Sequence, residues 1–294
     1  MNCLEVHSLQ KTFSAQVFGK PRVVLKNVTF QVREGVTTGF IGVNGSGKTT
    51  TLKCLLGFIL PDQGQIRFWG ENLSNEIKSQ IGYFPERPYL YEYLTTREYL
   101  QFHWNLASSS AGGFENRFLE VLDLVKLSGQ EYRPLREFSK GMLQRVGIAQ
   151  AILMKPRLLI LDEPMSGLDP DGRHIVKKII QSQQAQGVSI FFSSHLLGDM
   201  DELCQDLVVI DAGEILYQGD AESFAAKYEG DSRITFRDKS GLRFEIHLPK
   251  SKIQAELDRL RSQGSEIIKV ESQNHGIEYS FEQLRHEREQ LDKI

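Results

Sequence analysis

Phe40-Ile41-Gly42-Val43-Asn44-Gly45-Ser46-Gly47-Lys48-Thr49-Thr50 decides the architecture of this chain. Gly42 to Thr49 fits the pattern GxxxxGK[ST], and the spacing has a chemical reason. Glycines let backbone N–H groups converge on phosphates without interference from a Cβ. A helix that starts where the loop ends points its positive end at the same anion. Lys48 then reaches the β- and γ-phosphates of a nucleoside triphosphate, and the Thr49 hydroxyl binds Mg2+. The expected phosphate-binding set is Gly42, Asn44, Gly45, Ser46, Gly47, Lys48, Thr49 and Thr50.

Outward from the loop, Val36 to Ile41 reads as a strand and Thr49 to Phe58 as a helix that stops near Gly57. Pro61-Asp62-Gln63-Gly64 reads as a turn. Residues 4–9, 23–33, Ile66 to Trp69 and Ile81 to Phe84 read as strands. Residues 87–156 change character. They carry helix-like stretches at 95–106, 114–126 and 140–153, a Ser/Gly-rich loop at 108–113, and no strand pattern. From 157 the alternation returns: strand Leu158 to Leu161, helix 170–186, strand Val188 to Phe192, helix about 196–204, strand Leu207 to Ile210. Strands alternating with helices imply a parallel sheet covered on both faces, so the helical block is an insertion in an α/β core. Beyond 231 the sequence predicts a hairpin around Asp238-Lys239-Ser240-Gly241, a helix at Lys252 to Gln263, a strand at 266–271 and a charged helix at 281–294. The expected organisation is a domain at 1–230, with its core at about 1–86 and 157–230 and its helical part at about 87–156. A small α/β appendage follows at 231–294.

Arg157-Leu158-Leu159-Ile160-Leu161-Asp162-Glu163 is an apolar strand ending in two carboxylates. Ligand chemistry in parallel sheets sits at the carboxyl ends of strands. Alone, such an ending is as often a solvated strand terminus. Beside a phosphate loop, Asp162 is the residue to hold Mg2+, directly or through water, and Glu163 the residue to take a proton from an attacking water or to position it.

Further segments follow in a fixed order: Ile81-Gly82-Tyr83-Phe84-Pro85-Glu86, Phe138-Ser139-Lys140-Gly141-Met142, Ser166-Gly167-Leu168-Asp169 and Ser193-Ser194-His195. In them the sequence resembles the ABC ATPases, over about residues 4–225. The resemblance implies an α/β P-loop NTPase fold with a RecA-like core, the helical ABC insertion and a C-terminal appendage. It implies that Glu86 stands in the Q-loop, that Asp169 closes the D-loop, and that His195 contacts the γ-phosphate and the water. It also implies that Phe13 stacks on adenine. Ser139 reads as the N-cap of a helix starting at Lys140. The resemblance adds that Ser139 and Gly141 face the γ-phosphate of ATP held by a second nucleotide-binding subunit, expected to be another copy of this chain.

Two departures from the family pattern stand out: Glu86 replaces the Q-loop glutamine, and Lys140-Gly141 replaces the Gly-Gly of the signature. A carboxylate near the γ-phosphate is repelled unless Mg2+ lies between, so Glu86 is expected to act on metal or coupling. The Ser-Lys-Gly-Met form resembles the type-two exporter branch. It implies an ATPase that powers export through a separate transmembrane permease. The aromatic stretch of Tyr89, Tyr91, Tyr93, Tyr99, Phe102 and Trp104 lies where the family receives a helix from that permease. Packing inside the helical block is expected to claim more than half of these rings.

Charge and composition fit this reading. With 35 basic and 38 acidic residues the net charge is −3, without the basic excess of a nucleic-acid binder. Cys3, Cys54 and Cys204 form no CxxC pair and read as buried apolar side chains in a reducing compartment. The richest apolar run, Leu52 to Leu60, falls short of the ~18 residues of a membrane span and includes Lys53. No secretory signal pattern opens the sequence. The expectation is a soluble cytoplasmic protein, held at the inner face of the cell membrane only through the permease. The competing classes are an ABC importer ATPase, a soluble ABC-type ATPase acting on DNA or the ribosome, and a GTPase or small-molecule kinase. The soluble relatives carry coiled-coil arms or tandem nucleotide domains, whereas this chain has one phosphate loop and no heptad arm. A GTPase would need an Asn-Lys-x-Asp motif, which the sequence lacks.

Overall fold

The computed structural model describes residues 1–14, 21–107, 112–228, 231–272 and 276–291. They divide into two units, Met1–Asp220 and Ala221–Ile294. The first unit runs β1 (Asn2–Phe13), β2 (Arg22–Arg33), β3 (Thr37–Ile41), α1 (Lys48–Leu55), β4 (Gln63–Phe68), α2 (Asn75–Ser79) and β5 (Ile81–Phe84). It continues with α3 (Thr96–Ala107), α4 (Phe114–Leu124), α5 (Lys140–Ile152), β6 (Leu158–Asp162), α6 (Pro170–Ala185), β7 (Ser189–Ser194), α7 (Met200–Leu203), β8 (Asp206–Asp211) and β9 (Glu214–Asp220).

The main sheet has the order β5-β6-β7-β3-β8-β9. Its first five strands are parallel, and β9 returns antiparallel on β8. Every residue of β3, β6 and β7 is buried, as expected for strands covered on both faces, and in β6 this reads as the apolar run Leu158 to Leu161. A smaller antiparallel sheet, β2-β1-β4, packs over the main one. Phe30 of β2, Phe40 of β3 and Phe191 of β7 join the two layers, with ring centroids 5.2–5.6 Å apart. Each such pair contributes about 0.5–1.5 kcal/mol beyond its buried area. β3 therefore delivers the loop after Ile41 from a rigid base.

Several elements differ from the sequence reading. α1 ends at Leu55, short of Phe58, and Gln63 and Gly64 belong to β4 instead of to a turn. The helix expected at about 196–204 is a 3-10 turn, Leu197–Asp199, leading into the short α7. β9 was not anticipated. It completes a hairpin with β8 whose turn, Ala212-Gly213, has positive φ at both residues. There the Gly213 N–H donates to the Ser46 carbonyl (2.9 Å), and the Gly213 carbonyl accepts from the Lys26 N–H (2.9 Å). A methyl group on Gly213 would lie 2.3 Å from the Val24 carbonyl oxygen.

The helical block consists of α3, α4 and α5, and the expected Ser/Gly-rich loop falls partly at 108–111, outside the described residues. Buried Arg117 of α4 donates to the carbonyls of Ile152 and Leu153 at the end of α5, where a cation complements the helix dipole. Cys3 and Cys54 are buried and Cys204 is half-buried, all as free thiols, and burial pushes the Cys3 and Cys54 thiols up to about 11.

The second unit comprises α8 (Ala221–Lys227), β10 (Asp231–Arg237), β11 (Arg243–Pro249), α9 (Lys250–Ser262), β12 (Glu266–Ser272) and α10 (Gly276–Leu291). Its strands form an antiparallel sheet, β11-β10-β12. The Asp238 carboxylate closes the hairpin by accepting from the Ser240 and Leu242 N–H groups. The boundary falls ten residues before the expected 230/231 division because α8 belongs to this unit. Phe224 of α8 and Ile277, Phe281 and Leu284 of α10 are buried, and the Ser280 hydroxyl donates to the Ala225 carbonyl. Among the described residues no helix is long and apolar enough to cross a membrane.

Candidate active site

A cleft of about 760 Å³ opens where β3, β6 and β7 end. Val43, Asn44, Gly45, Gly47, Lys48, Thr49 and Thr50 form one wall. Glu163, Ser166 and His195 form another, and Glu86 and Phe13 also line the cleft. Gly42 and Ser46 of the same loop are buried. A methyl on Gly42 would lie 2.3 Å from the Ile210 carbonyl oxygen, so the chain passes β8 too closely for any other residue.

The loop leaves the start of α1 open. Gly47, the N-cap, has φ +115 and carries no side chain to close the backbone donors. Lys48 folds back so that Nζ donates to the Gly42 carbonyl (2.6 Å) and lies 3.6 Å from Glu163 Oε1. Burial pushes the Lys48 pKa down, and the charges of Glu163, Asp162 and Glu86 pull it back up. The buried Ser46 hydroxyl has no protein partner among the described residues. Open N–H groups and a buried ammonium make a cradle for a polyphosphate.

Asp162 is the last residue of β6 and Glu163 leaves the strand with φ +52, a left-handed conformation that is uncommon for a residue with a side chain. Both are buried. Ser193 of β7 links them: its hydroxyl donates to Asp162 Oδ1 (2.6 Å) and accepts from the Glu163 N–H (3.0 Å). Burial pushes the Asp162 pKa up, and hydrogen bonds from Ser193 and Thr49 oppose it. Glu163 Oε2 lies 2.7 Å from His195 Nδ1 and also accepts from the His195 N–H (3.3 Å). The donor set of Thr49 and Asp162 suits Mg2+, which takes one or two protein oxygens beside phosphate oxygens. Among the described residues no cluster of three or more His, Cys, Asp or Glu offers an all-protein metal cage.

Ser139, Gly141 and Asp169 do not line this cleft. Ser139 caps α5 by accepting from the Met142 N–H (3.3 Å), and Asp169 caps α6 by accepting from the Gly172 N–H (2.7 Å). The two starts are fastened together. Gln144 donates to the Pro164 carbonyl, Gly141 faces the Leu168 side chain, and the Lys140 ammonium sits against Gly167.

Sequence reasoning missed Arg22, Val24 and Ser166 as cleft residues and gave Ser193 no role. Val24 and Arg22 lie on the strand hydrogen-bonded to the one carrying Phe13, a neighbourhood only the β1–β2 register reveals. The aromatic stretch also departs from expectation. Tyr89, Tyr91, Tyr93 and Phe102 are exposed, Trp104 is half-buried, and only Tyr99 is buried, donating from its hydroxyl to Gln150 Oε1 (3.2 Å). The helical block has its own apolar core and leaves these rings outside it.

The family model for the ABC transporter matches residues 25–166. The chain is 44% identical over 215 residues to an uncharacterized ABC transporter ATP-binding protein of Nostoc sp., covering 72% of this chain and 64% of that relative, which is under two thirds of its length. It is 38% identical to the bacitracin transport ATP-binding protein BcrA of Bacillus licheniformis, covering 71% of this chain and 68% of that protein. A solved structure of an ATP-binding subunit of an ABC transporter aligns with a TM-score of 0.68 at 34% identity, covering 76% of this chain and 92% of that one. Sequence and fold thus agree, and the chain belongs to the ATP-binding proteins of the ABC transporter family.

Proposed function

We propose that this chain binds and hydrolyses ATP in the cleft and drives export through a separate transmembrane permease. The observation that carries the reading is the convergence of Lys48, Glu163 and His195 on one cleft, with Asp162 directly behind, while the capped start of α5 lies off it. In this reading Lys48 and the N–H groups of the loop bind the β- and γ-phosphates. Phe13, 39% exposed in the cleft lining, stacks on adenine. Thr49 and Asp162 would hold Mg2+, and Glu86 would act on it. Bound Mg2+ would neutralise charge on the phosphates. Glu163 takes the proton of the attacking water, and His195 keeps that carboxylate aimed and contacts the γ-phosphate.

Ser139 and Gly141, off their own cleft, serve the nucleotide of a second copy, so two composite sites form per dimer, with the D-loop residue Asp169 at the same junction. The exposed rings of Tyr89, Tyr91, Tyr93 and Phe102 suit an interface with the permease. That contact holds the chain at the cytoplasmic face of the membrane, and no nucleic acid is involved. Export is favoured by the Ser-Lys-Gly-Met signature and by the bacitracin transport relative. The test is purification of the tagged chain from detergent-solubilised membranes of its source cells. A multi-span membrane protein should accompany it in stoichiometric amount. Recovery with ribosomes or DNA, and without a membrane protein, would overturn the reading.

A further inference from the structure

Ser193 is fully buried on β7, directly opposite Asp162 of β6 in the parallel register. That register ends at this pair, so the next backbone donor, the Glu163 N–H, has left the ladder. It is a buried donor that must find another partner. The Ser193 hydroxyl supplies it (3.0 Å). The same hydroxyl gives its proton to Asp162 Oδ1 (2.6 Å), which fixes its rotation and turns a lone pair toward the amide. The tethered residue is the strained one: Glu163 stands at φ +52, and this turn brings its carboxylate back to His195 Nδ1 (2.7 Å) and Lys48 Nζ (3.6 Å). A left-handed conformation in a residue with a side chain persists only where the surroundings over-determine it.

We infer that Ser193 is a positioning residue for hydrolysis: oriented by Asp162, its hydroxyl holds the Glu163 backbone in the left-handed turn that aims the carboxylate. The inference rests on the proposed role of Glu163 in activating water. Ser193 does not line the cleft. It acts through Glu163, so its removal spares ATP binding and lowers turnover.

The test uses the full chain and follows kcat, melting temperature, and the affinity for a fluorescent ATP analogue. Ser193→Ala should lower kcat about tenfold to a hundredfold, the scale of a small misplacement of a reacting group. Affinity should stay within about twofold. Ser193→Thr, which keeps the hydroxyl, should recover most of the rate. In a Glu163→Gln background, removing the Ser193 hydroxyl should change the residual single-turnover rate by less than about twofold, because the residue it acts through is already disabled. Wild-type turnover in Ser193→Ala, or the full loss persisting in the Glu163→Gln background, would overturn the inference. A Lys48→Ala control separates the two levels. If Lys48→Ala hydrolyses normally, the reading of the cleft fails. If it is inactive while Ser193→Ala is fully active, only the role of Ser193 fails.

Discussion

The helices α1 and α5 both begin at points assigned to phosphate, yet they treat their first backbone donors in opposite ways. α1 starts from Gly47, which has no side chain to close the donors, and its first residue, Lys48, is a cation folded over the loop. α5 starts from Ser139, whose hydroxyl already accepts from the Met142 N–H. The first start is structurally incomplete and gains its missing partner from an anion. The second has one donor already capped by its own side chain, and has the hydroxyl and its remaining N–H groups to lend. The difference matches the roles proposed above, in which α1 owns the nucleotide and α5 visits one bound to another chain.

Lys48→Ala should break the comparison most visibly. Turnover should fall at least about a hundredfold, the cost of removing one donor aimed at developing phosphate charge. The melting temperature should hold or rise, because the buried ammonium is maintained against desolvation. Phosphate release and thermal melting measure both, and normal turnover would mean that α1 is not the phosphate-binding helix. A smaller effect tests ownership directly. Lys48→Ala and Ser139→Arg chains, each nearly inactive alone, should together form heterodimers with one intact composite site and hydrolyse at least about tenfold faster than either. No recovery, with pairing demonstrated by differential tags, would place both helices in one chain's site or make the two sites obligatorily coupled. Smallest is Ser139→Ala, which should cost about 1 kcal/mol of stability by denaturant melting, the usual worth of an N-cap. A null result there would mean that α5 is not self-capped and would weaken the contrast.

Much of this was legible in the sequence because local chemistry and fold coincide. Gly42 to Thr49 needs its glycines, β6 needs an apolar run, and Asp169-Pro170 is a helix start under almost any circumstance. What escaped reading depends on non-local packing. Glu214 to Asp220 becomes a strand because β8 offers it an edge, although Ala212-Gly213 before Ile215 and Tyr217 was a fair hairpin signal. The residues of α8 join the second unit because Phe224 finds the apolar face of α10. Counting aromatics from 89 to 104 says nothing about which face each ring occupies, so the expectation that packing claims more than half of them fails for Tyr89, Tyr91, Tyr93 and Phe102. Ser193 was quoted only as a neighbour of His195. Its position opposite Asp162 is a property of strand register that no linear motif carries.

The Ala212-Gly213 turn extends the site's demands beyond its own motifs. Gly213 does not itself line the cleft, but its N–H is bonded to the Ser46 carbonyl of the loop and it is hemmed in by Val24, which does line it. In a saturation mutagenesis screen read out by transport, position 213 should therefore tolerate substitution as poorly as position 42. Redesign of the cleft by grafting residues 42–50 into another scaffold would inherit the phosphate loop without its footing, unless the tip of the β8–β9 hairpin travelled with it.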